Sequence, residues 1–240
     1  MTSKPLTPSA SPQLVRVGEN QLLLRFADAI DPTLASRIAT FSHTLQGCYG
    51  SALLELIPSY TTLLLEYHPL RLSFETLASA LPGLWQSSQA DIPQPRLHRL
   101  PVFYGGEYGP DLPGLARHAG LTEAGVIARH ADRRYTVCAI GFAPGFAFLA
   151  RVDDAICHPR HPHPRVLIPK GSVGIAESQT AVYPDASPGG WQIIGNCPLT
   201  LFDPTHDPMS PFSTGDQVEF YGIDREAFLA LGGEPCPRWK

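Results

Sequence analysis

The chain has 240 residues, 43% of them apolar and 17% charged, a balance that excludes intrinsic disorder and fits a globular protein with a sizeable core. A net charge of −4 disfavours nucleic acid and acidic membranes as partners. Five scattered cysteines without a CxxC pair exclude a zinc ribbon and a disulfide framework. With no signal-peptide core near the start and no run approaching the roughly 18 apolar residues of a membrane span, a cytoplasmic setting is expected.

Residues 1–12, rich in Ser, Thr and Pro, read as a disordered tail, and residues 13–88 as a small α+β domain of ββαββα order. Gln21 to Phe26 alternates as a half-buried strand does. Asp31-Pro32 then caps a helix whose inner face is Leu34, Ile38, Phe41 and Leu45, with Gly47 as the expected stop. The plan repeats with strands over Ser51 to Ile57 and Thr61 to Tyr67, broken by Pro58-Ser59-Tyr60, and a helix capped by Ser73 with Leu77, Leu81 and Leu84 inward. Leu63-Leu64-Leu65 fits either a strand covered on both faces or a buried helical turn.

Ser87 to Pro95 is polar and reads as a domain boundary, with a second domain over residues 96–240. There the spacing predicts helices at Asp111 to Ala119, at Glu123 to Ala131 with Thr122 as cap, and at Asp224 to Leu231. A strand is predicted at Tyr135 to Gly141. Many further short strands among frequent Gly and Pro argue for a β-barrel.

Three segments carry candidate chemistry. In Gly141 to Leu149, Pro144-Gly145 favours a tight turn holding Phe142, Phe146 and Phe148 around a bend, either as an apolar pocket wall or as a packed hairpin corner. In Pro164 to Ile175, Gly171 and Gly174 leave backbone amides free for an anion, with Lys170 and Ser172 beside them. The GxxxxGK[ST] phosphate-loop spacing is absent. In Gln179 to Gln192, Gln179, Tyr183 and Trp191 offer polar and stacking groups, and Gly189-Gly190 can present amides.

The tract Cys157-His158-Pro159-Arg160-His161-Pro162-His163 contains metal-ligand residue types. Its prolines and the lack of a second cluster make it a solvated loop, and no metal is expected. His130 ends a helix, where a protonated imidazole would complement the dipole, with a general base as the minority reading. Cys197 has nothing near it in sequence to lower its pKa.

In this order, the run Gly141 to Leu149, the run Pro164 to Thr180, Tyr183 to Gly195 and Leu201-Phe202-Asp203 resemble the KipI family, which includes the B subunit of 5-oxoprolinase and allophanate hydrolase subunit 1. The likeness extends to Ile57 to Tyr60, Tyr67 to Pro69, Tyr104 to Gly106 and Gly109 to Leu112, covering about Gly18 to Tyr221. It implies an α+β N-terminal domain followed by a cyclophilin-like β-barrel. It also implies work in a complex with two partners, one of the KipA (allophanate hydrolase subunit 2) type and one of the LamB/YcsF type. That complex opens 5-oxo-L-proline to L-glutamate with ATP, bound with Mg, as co-substrate.

On this reading Arg165, Ser172 and His130 are the catalytic candidates. Phe142, Phe146 and Trp191 would wall the substrate ring, and Gln179 and Tyr183 would orient its polar edge. Lys170, Ser172, Gly189 and Gly190 would bind phosphate. Two alternatives come with the family: inhibition of a sensor histidine kinase, or half of a biotin-dependent carboxyltransferase such as a urea carboxylase. The sequence departs from the family pattern at Glu177-Ser178 and Ala181, where glycines are usual, and at Asn196-Cys197, where Arg-Thr is usual.

Overall fold

The computed structural model describes residues 11–88 and 94–235. The expected tail and the middle of the expected boundary fall outside them, apart from residues 11 and 12 of the tail. The chain divides into two compact units, Met1–Pro95 and Arg96–Lys240.

The first unit runs β1 (Gln13–Arg16), β2 (Gln21–Arg25), α1 (Pro32–Tyr49), β3 (Leu53–Ser59), β4 (Thr62–Tyr67) and α2 (Phe74–Ser87). Its antiparallel sheet has the order β1-β2-β4-β3. Leu22, Leu24, Leu63 and Leu65 alternate onto the face that buries Leu34, Ile38 and Phe41 of α1 and Leu77 and Leu81 of α2. Leu63-Leu64-Leu65 is therefore a strand, with Leu64 half-buried on the opposite face.

Asp31 accepts the Thr33 amide at 2.9 Å to start α1. The helix passes through Gly47 and ends at Gly50, whose φ of 51° supplies the reversal that Gly47 does not. Ser73 accepts the Thr76 amide at 3.1 Å. Leu84 is only half-buried; Trp85 takes the inward place, its ring 4.4 Å from Phe26 and 5.3 Å from Phe41.

The second unit runs β5 (Leu97–Tyr104), α3 (Leu112–Ala119), α4 (Glu123–Ala131), β6 (Arg134–Ile140), β7 (Ala147–Ala150) and β8 (Arg165–Ile168). It continues with β9 (Ser172–Ala176), β10 (Gln179–Val182), β11 (Ser187–Gly189), β12 (Gln192–Asn196), β13 (Gln217–Gly222) and α5 (Arg225–Ala230). Seven strands close a barrel in the order β6-β13-β5-β12-β9-β10-β7 and back to β6. Six of the seven pairings are antiparallel; β13 and β5 run parallel over Gln217–Gly222 and Leu97–Val102. Val102, Val137, Leu149, Ile175, Ile194 and Val218, all buried, belong to its core. β8 and β11 pair as a separate ribbon. The architecture is the expected α+β unit followed by a barrel.

Among the described residues no helix is long and apolar enough to cross a membrane.

Candidate functional site

β8 and β9 are joined by the turn Pro169-Lys170-Gly171. The Gly171 amide donates to the Tyr183 carbonyl at 2.8 Å, and the Ser172 amide to Pro169 at 3.2 Å. The expectation of amides left free for an anion is thereby corrected, because the chain's own carbonyls have taken them. Gly171 is required for another reason. Its φ is 78°, and a Cβ there would strike the Cys197 carbonyl oxygen. Asn196 braces the same turn, its Nδ2 donating to the Lys170 carbonyl at 2.8 Å.

This turn forms one wall of a cavity of about 380 Å³. Leu167, Pro169, Pro198 and Leu199 give it apolar surface; Ser172, Asn196 and Tyr108 add polar groups. Lys170, Asp185 and Glu234 bring one cation and two carboxylates, all on exposed residues. Tyr108 ties in the segment after α5 by donating to the Glu234 carbonyl at 2.9 Å. Ser172 is the unusual member: it is 1% exposed, and its Oγ has no hydrogen-bond partner among the described residues. Leaving a buried hydroxyl unpaired costs about 1–3 kcal/mol, a cost relieved when a partner arrives. Burial pushes the thiol of Cys197, also on the wall, up to about 12 and so holds it neutral.

The other sequence candidates lie elsewhere. Arg165 grips Asp111 with two bonds of 2.7 and 2.8 Å. Asp111, 9% exposed, also accepts the Ile193 amide at 2.7 Å. Burial opposes its ionisation, but the bonds from Arg165 and Ile193 win and hold the carboxyl below its usual range. His161 Nε2 approaches the same carboxylate to 3.2 Å without hydrogen-bond geometry. The His161 amide donates to Gly190 at 2.6 Å, and Gln192 Nε2 to Pro159 at 2.8 Å. The proline-rich histidine tract is thus pinned to the barrel rather than freely solvated. Asp111 entered the sequence reading as a helix start and within the resembling run Gly109 to Leu112, not as a site residue.

Phe146, Tyr183 and Trp191 do not wall a ligand. They fill a buried cluster with Ile168 and Ile193, ring centroids 5.2–6.5 Å apart. Gly189 belongs to that packing, because a Cβ there would strike the Tyr183 hydroxyl. The Pro144-Gly145 turn forms as expected, Phe146 N donating to Ala143 at 3.0 Å with Gly145 at φ 77°. Phe142 is left 67% exposed. Gln179, half-buried, opens β10 opposite Ala176 and does not line the cavity. Glu177 occupies the β9–β10 turn at φ 52°, exposed and away from the cavity lining, so its charge does not enter the site.

His130 is wholly buried. Thr180 Oγ1 donates to the Gly174 carbonyl at 2.9 Å, so the imidazole Nε2–H must donate to Thr180 (2.8 Å), and Nδ1 accepts from the Tyr104 hydroxyl (2.8 Å). Burial lowers its pKa to about 3. The expected protonated imidazole is therefore corrected to a neutral one, with both nitrogens engaged.

A family model described as "Carboxyltransferase domain, subdomain C and D" matches residues 12–212, which places the α+β unit and barrel in that class. The chain is 34% identical to the 5-oxoprolinase B subunit of Bacillus subtilis (strain 168), over 92% of this chain and 97% of that one. It is 46% identical to the 5-oxoprolinase B subunit of Escherichia coli O157:H7, over 57% of this chain and 62% of that one. Among solved structures, TTHA0988 superposes with a TM-score of 0.75 at 36% identity, covering 91% of this chain but 41% of that one. The Kluyveromyces lactis urea amidolyase, with a TM-score of 0.73 at 17% identity, covers 95% of this chain and 16% of that one, and shares the fold. The chain belongs to the family of 5-oxoprolinase B subunits.

Proposed function

We propose that the chain is the B subunit of an ATP-dependent 5-oxoprolinase, a hydrolase complex that opens 5-oxo-L-proline to L-glutamate with release of ADP and phosphate. The observation that carries this reading is the 34% identity to the Bacillus subtilis B subunit over 97% of that protein. A lactam resists attack by water, so ATP would phosphorylate the amide oxygen. Water then adds to the activated carbon, the ring C–N bond breaks with its nitrogen taking a proton, and a second water hydrolyses the acyl phosphate left behind to carboxylate and phosphate. Such chemistry needs a pocket that holds the amide away from bulk water. The chain would act with one partner of the LamB/YcsF type and one of the KipA type, in the cytoplasm.

The test is to co-express the chain with those two partners and follow ADP release on adding 5-oxo-L-proline. Activity that disappears when this chain is left out supports the reading. An intact complex with no oxoproline-dependent release, or one indifferent to this chain, overturns it.

A further inference from the structure

The cavity beside Ser172 carries a ligand assignment that deepens the proposed function and rests on it for the identity of the substrate. Its volume, about 380 Å³, lies in the range of small-molecule sites. Two ligands of the proposed reaction compete for it, the lactam and the nucleotide, and the lining discriminates between them. A triphosphate needs several convergent donors, yet the Gly171 and Ser172 amides are spent on Tyr183 and Pro169. It would also bring several negative charges towards Asp185 and Glu234, with Lys170 the one cation among the described lining residues to offset them.

A lactam with one carboxylate has the opposite needs. Its ring methylenes require apolar walls, which Leu167, Pro169 and Leu199 provide. Its amide requires one group able to donate or accept, and a serine hydroxyl does both. Its single charge requires one cation, Lys170. The buried, partnerless Ser172 Oγ is the second and independent observation: a hydroxyl held unsatisfied on a cavity wall is satisfied by a ligand amide. We propose that this cavity binds the small carboxylate-bearing lactam, Ser172 meeting its amide and Lys170 its carboxylate, and that the nucleotide is held elsewhere in the complex.

The experiment is an NMR titration of the isotope-labelled chain, alone and within the three-protein complex, with 5-oxo-L-proline, 2-pyrrolidinone and ATP in turn. 5-Oxo-L-proline should shift the amide signals of Ser172, Asn196 and Leu199; ATP without lactam should leave them in place. Ser172→Ala should weaken lactam binding about tenfold, the worth of one hydrogen bond, and raise KM in the complex by a similar factor with kcat largely retained. 2-Pyrrolidinone, which lacks the carboxylate, should bind more weakly, and Lys170→Met should erase the difference between the two lactams.

Cavity signals that ignore 5-oxo-L-proline in both settings, or that move with ATP alone, overturn the assignment. If the complex nonetheless turns over 5-oxo-L-proline, the proposed function survives without it. Lactam binding at Ser172 in a complex that releases no ADP leaves the assignment standing and removes the proposed function instead.

Discussion

Two polar neighbourhoods flank strand β9, and they are built on opposite rules. At its middle, Gly174 accepts from Thr180, Thr180 from His130, and His130 from Tyr104, so every buried polar atom of that chain is used. At its start, Ser172 is just as buried, and its hydroxyl has no partner. A closed network fixes a structure, whereas an open one is stable only where something else completes it. Burial alone therefore does not separate these two neighbourhoods; satisfaction does.

The sharpest way to break that distinction is at Asp111, which belongs with the closed networks. Asp111→Ala removes the acceptor that Arg165 and the Ile193 amide share, and should cost about 3–5 kcal/mol in urea unfolding. A loss near zero would show that the Arg165 pair is not structural.

Next in size is the acid response of His130. Its folded pKa, about 3, lies below the ordinary 6.5, so the unfolded chain binds a proton that the folded one refuses. The contribution is fully present above pH 6.5 and is lost as pH falls from there towards 3. Thermal unfolding midpoints should drop across that window, and His130→Gln should flatten the slope by one proton. An unchanged slope in the variant would mean that the imidazole is charged in the folded state.

A smaller effect concerns the turn at the far end of β9. Glu177 sits at φ 52°, a left-handed geometry costing a side-chain-bearing residue about 1–2 kcal/mol. Glu177→Gly should gain about 1 kcal/mol of stability, partly offset by the freer unfolded chain, and a measured loss would contradict the strain. Smallest of all, Ser172→Ala should leave stability unchanged or raise it by up to about 1 kcal/mol, because the relief of the unpaired hydroxyl's penalty is partly offset by the small void left behind. A cost above about 2 kcal/mol in calorimetry would place Ser172 among the structural groups.

Much of the fold was legible because its signals are local. Asp31-Pro32, Ser73 and Thr122 each mark a helix start by side-chain chemistry within three residues. The ββα repeat followed from alternation and spacing, and the Pro144-Gly145 turn from the φ preferences of two residues. Gly47 misled because a glycine without positive φ continues a helix as readily as it ends one. Strand β5 escaped notice: Leu100-Pro101-Val102 is buried without alternation, and its parallel partner lies more than a hundred residues on.

The site was legible only in part, for the same reason. Lys170 and Ser172 were picked out by composition, and they do line the cavity. What they do there depends on Tyr183, Asn196 and Cys197, which arrive from other strands. Glycine-rich stretches that resembled anion loops proved to be places where two backbones or a ring pack too closely for a Cβ, as at Gly171 and Gly189. Aromatic residues expected to face a ligand, Phe146, Tyr183 and Trp191, pack edge-on against each other. Sequence composition does not tell a pocket from a core of the same residues.

The parallel pairing of β5 with β13 has a consequence for how the protein is made. The first strand of the barrel finds its last neighbour only when residues up to Gly222 are available, near the end of the second unit. During synthesis β5 must wait with both edges bare until β12 emerges, and with one bare until β13 does, more than a hundred residues on. Contacts of such long range form slowly, and an open strand edge invites pairing with another chain. A polypeptide arrested before Gln217 should therefore be a client for chaperones, soluble only while its unfinished edge is shielded.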